Sequence, residues 1–118
     1  MWTYSQSTGE LKRDGQLFGT GYAGHGPGVD NPEMENVPNI GPLPQGFYTI
    51  GPEFTHPHTG PLSMRLEPDA NNEMFGRGGF LMHGDNSTHT ASEGCIVMPH
   101  DVRALVSASE DRRLKVIA

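Results

Sequence analysis

Residues 78–98 read GGFLMHGDNSTHTASEGCIVM, and the two short apolar runs inside this stretch decide the fold. Gly78-Gly79 leads into Phe80-Leu81-Met82-His83, and Gly94 leads into Cys95-Ile96-Val97-Met98. Each run is brief and bounded by turn formers, so each reads as a central β-strand. Side chains alternate along a strand, which places His83 on the face of Leu81 and Cys95 on the face of Val97. If the two strands are neighbours, the imidazole and the thiol emerge into one cleft.

The flanking sequence supplies more strands. Leu62, Met64 and Leu66 alternate with Ser63 and Arg65, a half-buried strand, and Gln45 to Gly51 carries the strand formers Phe47, Tyr48, Thr49 and Ile50 until Pro52 stops it. Trp2 to Leu17 reads as a hairpin turning at Asp14-Gly15. From Gly19 to Pro44 the chain is studded with glycine and proline and has no periodic apolar face, so it is expected to be a long ordered loop that walls or covers a site. After Pro99, Val102, Leu105 and Val106 fall at helical spacing, with Asp101 as N-cap and Arg112-Arg113 suited to the C-terminal end. Leu114 to Ile117 closes as a last strand. The expectation is one mostly β domain over residues 1–118, with long loops and one short C-terminal helix.

Composition narrows the function. A chain of 118 residues supports one core, and its single cysteine excludes an intrachain disulfide framework and a cysteine-based zinc site. Eight basic against fourteen acidic residues give a net charge of -6, which argues against nucleic acid as partner. No apolar run approaches the roughly 20 residues of a membrane helix. Met1 to Gly15 lacks the basic and apolar regions of an export signal, so neither membrane insertion nor a signal peptide is expected.

Two residues have the chemistry of a nucleophile and its base. Cys95 follows Gly94 in Ser92-Glu93-Gly94-Cys95-Ile96, where a sharp turn can aim backbone N–H groups at one spot beside the thiol. A free thiol ionises near pH 8.5 and needs an imidazole or positive potential nearby, which His83 supplies if the strands adjoin. The plainer readings are a buried structural cysteine and a histidine that merely precedes a turn. His56-Pro57-His58 has ligand spacing and offers a zinc-peptidase alternative, with His83, His89 or Asp85 as third ligand, although Pro57 favours a loop. His25 and His100 read as solvated.

Jointly, Arg77-Gly78-Gly79-Phe80-Leu81-Met82-His83-Gly84 and Ser92-Glu93-Gly94-Cys95-Ile96 resemble the L,D-transpeptidase signature, a strand ending in His-Gly followed by a loop and Ser-x-Gly-Cys. Gly41-Pro42-Leu43-Pro44-Gln45-Gly46-Phe47-Tyr48 and the Tyr22 to Gly28 loop extend the likeness over nearly the whole chain. It is similar above all to the small L,D-transpeptidase-like effectors of bacterial type VI secretion, the Tlde family. The resemblance implies a β-sandwich or barrel with a cysteine nucleophile. Cys95 attacks the meso-diaminopimelate carbonyl of a peptidoglycan tetrapeptide stem and expels D-alanine, either to water (L,D-carboxypeptidase) or to another amine (L,D-transpeptidase). His83 moves the proton, the Gly84 carbonyl orients the ring, the amides of Gly94 and Cys95 hold the oxyanion, and Ser92 braces the loop. Arg77, Tyr22, His25 and Asp85 are implied substrate contacts, with a surface ion pair as the alternative for Arg77. No metal or cofactor is implied. The implied partners are peptidoglycan stem peptides, a cognate immunity protein and the secretion apparatus, with synthesis in the cytoplasm and action in the periplasm of a target bacterium. Glu93 and Val97 stand where the common transpeptidase signature has a histidine and often a polar residue, departures that bear on the acceptor. A non-catalytic wall-binding module with Cys95 buried is the remaining alternative.

Overall fold

The structure, a computed structural model, describes residues 1–118. The Asp14-Gly15 hairpin forms as its sequence demands: both residues take positive φ, 51° and 81°, the geometry of a two-residue turn between β2 (Glu10–Arg13) and β3 (Gln16–Thr20). β1 (Trp2–Ser5) pairs antiparallel with β2, and β4 (Tyr22–Ala23) follows β3 after a single residue. Beyond the loop come β5 (Gly46–His56), β6 (Gly60–Pro68), β7 (Leu81–His83), β8 (Ile96–Val97), the helix α1 (His100–Ala108) and β9 (Arg113–Ile117). No helix is long and apolar enough to cross a membrane.

All nine strands lie in one sheet, ordered β3-β2-β1-β9-β5-β6-β7-β8-β4. The fold is mostly β with one short helix, as expected, and its strands are not divided between two sheets. The two edge strands, β3 and β4, are joined only by Gly21, so the sheet must curl until its edges adjoin. Gly21 is the seam: its N–H donates to the Gly9 carbonyl at 2.8 Å, and a Cβ there would stand 1.7 Å from the Val97 carbonyl oxygen. Trp2, Tyr4, Leu11, Tyr48, Ile50, Leu114 and Val116 alternate into the core that the curl encloses, where Met82 and Ile96 join them. Val102 and Val106 of α1 complete it, with Val102 lying against Gly19 of β3.

Three local expectations are corrected. β5 does not stop at Pro52; it runs to His56. A bulge between Ile50 and Glu53 accommodates the ring, and β9 pairs only with the Gly46–Thr49 half, so no neighbour on that side needs the missing N–H. α1 begins one residue before Asp101, with Pro99 as N-cap, and Asp101 lies in the first turn, where its carboxylate accepts from the Val102 N–H. The stretch from Gly19 to Pro44 still contributes strand: β3 and β4 extend to Ala23, and the loop that follows contains short 3-10 turns at Gly26–Gly28 and Pro32–Met34. Arg112 closes the helix C-terminus from outside, its Nη1 donating to the carbonyls of Val106, Ser107 and Ser109.

Candidate active site

β7 and β8 are parallel neighbours, with Met82 opposite Ile96 and His83 opposite Val97. Paired residues of neighbouring strands project to the same face, so Met82 and Ile96 point into the core while Leu81, His83 and Val97 share the other face. The Leu81 N–H donates to the Cys95 sulfur at 3.3 Å, which fixes the thiol at the Leu81 level, two residues along the strands from His83. Cys95 comes just before β8 and packs against the edge of the core, and no hydrogen bond joins its thiol to the His83 imidazole.

The His83 side chain is buried, and its Nδ1 lies 2.7 Å from the Gly84 carbonyl oxygen. A carbonyl only accepts, so Nδ1 carries the proton and the lone pair of the neutral ring is on Nε2. Burial pulls the imidazole below its ordinary value; the Gly84 carbonyl opposes this, and the positive charge of Arg103 reinforces it. At neutral pH the ring is a base. Burial pushes the Cys95 thiol up, the Glu93 carboxylate adds to that, and the Leu81 N–H and Arg77 act against it. The resting pair is therefore a thiol and a neutral imidazole.

Ser92 organises the turn that presents Cys95. Its buried Oγ accepts from the N–H groups of Gly24 (2.9 Å) and Gly94 (3.0 Å) and donates to the Cys95 carbonyl (2.6 Å), tying the glycine-rich loop to the nucleophile turn. The Gly94 N–H is committed to Ser92, and the Cys95 N–H faces its own thiol. Ser92→Ala leaves the Gly24 and Gly94 donors unpaired in a buried place and is expected to cost about 2–4 kcal/mol, read as a lower urea midpoint, with faster alkylation of Cys95 as the turn loosens.

Arg77 is held by backbone carbonyls and forms no ion pair. Its Nη1 donates to the carbonyls of Glu35 and Pro42 and its Nη2 to those of Gly41 and Glu93, while the guanidinium lies 5.1 Å from the Phe80 ring centre. Four carbonyls occupy four of its five N–H groups, so it is a clamp on the loop. Tyr22 and Asp85 do meet: the Tyr22 hydroxyl donates to Asp85 Oδ1 at 2.7 Å and accepts from the Ala91 N–H. Burial, with the Asp85 bond, pushes the phenol up to about 12. Burial pushes the Asp85 carboxyl up, but bonds from His89, Tyr22 and the Asn86 N–H together outweigh it and hold the group below its usual range. His25 is exposed and lines neither cavity of this region. His56 and His58 sit at the β5–β6 turn with rings 5.7 Å apart; the His56 Nδ1 accepts backbone N–H groups, and no third metal-ligating side chain gathers about the pair.

Two cavities open beside β7 and β8, and His83 lines the smaller of them. One of about 240 Å³ is bounded by His58, His83, Gly84 and Asp85; the largest in the molecule, about 470 Å³, has Val97 in its wall together with Tyr22, Asp85 and Arg103. Cys95 borders neither. Arg103 is the residue that sequence reasoning missed. On α1 it lies beside Val102 and is buried, its Nε donating to the Met98 carbonyl and its Nη1 to those of Pro61 and Leu62.

A family model, the Tlde1 domain, matches residues 19–118. No curated protein matches the chain.

Proposed function

The chain belongs to the Tlde1 domain family, whose members are type VI secretion effectors, and from that premise we propose that it is a cysteine-dependent enzyme of the bacterial cell wall. The observation that supports this most is a neutral His83, its Nδ1 proton held by the Gly84 carbonyl, on the strand parallel to the one that Cys95 leads into, with the thiol held by the Leu81 N–H of that same His83 strand.

In the proposed reaction the Cys95 sulfur attacks the carbonyl of meso-diaminopimelate in a tetrapeptide stem, and its proton passes to His83 Nε2. The oxyanion is met by the Cys95 N–H. The bond to D-alanine breaks as the imidazolium returns the proton to the departing amine, leaving a thioester on Cys95. Water or a second amine, deprotonated by the same imidazole, then releases the stem and restores the thiol. Water makes the enzyme an L,D-carboxypeptidase; an amine makes it an L,D-transpeptidase.

Mass spectrometry of purified muropeptides after incubation with the protein tests the reading. The expected product is a stem lighter by one alanine, or carrying a supplied D-amino acid in its place; unchanged stems would refute it. The same reading predicts that expression with a fused signal peptide is toxic while cytoplasmic expression at matched level is mild, because stem peptides are polymerised outside the inner membrane. Equal toxicity would point to an intracellular target. A secretion apparatus for delivery and an immunity protein that protects the producer are the partners this function requires.

A further inference from the structure

Arg103 is a buried guanidinium, 8% exposed, without a carboxylate partner. Three of its N–H bonds go to backbone carbonyls through Nε and Nη1, and Nη2 donates to nothing in the protein. Nη2 is not sealed from solvent, so its N–H groups are open to an anion that enters the cavity. The guanidinium borders the cavity of about 470 Å³.

Its position along the strands gives that free nitrogen a purpose. The Cys95 thiol stands at the level of Leu81, and His83 is level with Val97, two residues on. Arg103 comes next: its Nε binds the carbonyl of Met98, and Nη2 lies 2.8 Å from where a Gly84 Cβ would be. Thiol, imidazole and guanidinium thus follow one another along β7 and β8. A residue leaving the thioester must turn its amine to the imidazole to receive a proton, and in an α-amino acid the carboxylate is attached one carbon further on.

We infer that Arg103 anchors the terminal α-carboxylate of the peptide substrate in this cavity, making it the subsite of the departing residue. This rests on the thiol–imidazole reading of the neighbouring site. The cavity also contains Asp85, whose oxygens are taken by the Tyr22 hydroxyl, the Asn86 N–H and His89, together with His89 and His100. Arg103 is therefore the lining cation with unclaimed donors, and its fork suits a carboxylate. The enzyme would cut only at a free C-terminus.

Two measurements test this. Wild-type protein is given a tetrapeptide stem ending in D-alanine and the same stem ending in D-alaninamide. kcat/KM is expected to fall about 10- to 100-fold for the amide, and Arg103→Gln to lose that preference by slowing the acid to the rate of the amide. Separately, N-acetyl-D-alanine and its amide are titrated into Cys95→Ala protein while the arginine side-chain NMR signals are followed. Saturable shifts of the Arg103 signals with the acid alone support the subsite whether or not the protein turns over any stem. Equal turnover of both stems by wild type, or no saturable shift with the acid, overturns it. Failure of both stems to react, with the shift intact, would count against the thioester chemistry and leave the carboxylate site standing.

Discussion

Cys95→Ala is expected to lower D-alanine release from muropeptides by at least about a thousandfold and to abolish periplasmic toxicity, with the fold intact. The proposed thioester has no other sulfur to form on, since the chain contains one cysteine. The stability cost should be of order 1 kcal/mol, because the side chain is partly exposed and its one hydrogen bond is a weak acceptor contact with the Leu81 N–H. Circular dichroism and a urea melt check the fold, and turnover by the folded variant at more than a few per cent of wild type would remove Cys95 from the chemistry. Thiol alkylation of the native protein separates this enzyme from an inert module. Burial and Glu93 hold the thiol up, so alkylation should be slow at neutral pH and quicken as pH rises, whereas an inert buried cysteine would react only on unfolding.

His83→Ala is expected to lower kcat by about 10²- to 10⁴-fold. The wild-type acid limb should report the imidazole, which works only when neutral. Its native pKa lies below the ordinary 6.5, so activity should persist to mildly acidic pH and fall only as the ring takes a proton. Stability follows the same group. Well above pH 6.5 neither the folded nor the unfolded imidazole is charged and His83 contributes nothing to pH dependence. As pH falls below 6.5 the unfolded chain binds a proton that the folded one resists, and stability drops until the native ring is protonated too. Urea midpoints from pH 7 to 5 should therefore decline less steeply in His83→Gln than in wild type. An acid limb that survives unchanged in residual His83→Ala activity would assign it to another group.

What the sequence disclosed and what it hid divide by the range of the interaction concerned. The Asp14-Gly15 turn, the two apolar runs about His83 and Cys95, and the helix after Pro99 are encoded by neighbours, and all form. Pro52 misled because a missing N–H stops a strand only where a ladder partner awaits it, and sheet position is not a local property. The surroundings of Arg77 and Arg103 were hidden for a related reason. A long cation reads as solvated or anion-bound unless one knows that backbone carbonyls distant in sequence converge on it, as Glu35, Gly41 and Pro42 do on Arg77 and Pro61 and Leu62 do on Arg103. At the site, the residue types around β7 and β8 were readable, but the parallel pairing of the two strands, the Leu81 N–H that holds the thiol and the capture of the Gly94 N–H by Ser92 belong to the tertiary fold.

The place of β9 between β1 and β5 makes synthesis and folding separate events. Trp2 to Ser5 gains its parallel neighbour only once Leu114 to Ile117, at the far end of the domain, is available. A chain emerging from the ribosome can close the first hairpin, but until then the sheet is split at its middle, with Trp2 and Tyr4 deprived of Leu114 and Val116. Pairing the two ends of the chain carries a high loop-closure entropy, which places folding nearer the milliseconds-to-seconds of β-barrels than the microseconds of helical bundles. During that interval the exposed strand edges are open to aggregation or to a chaperone, so the slow step in producing this protein is the arrival of its final strand.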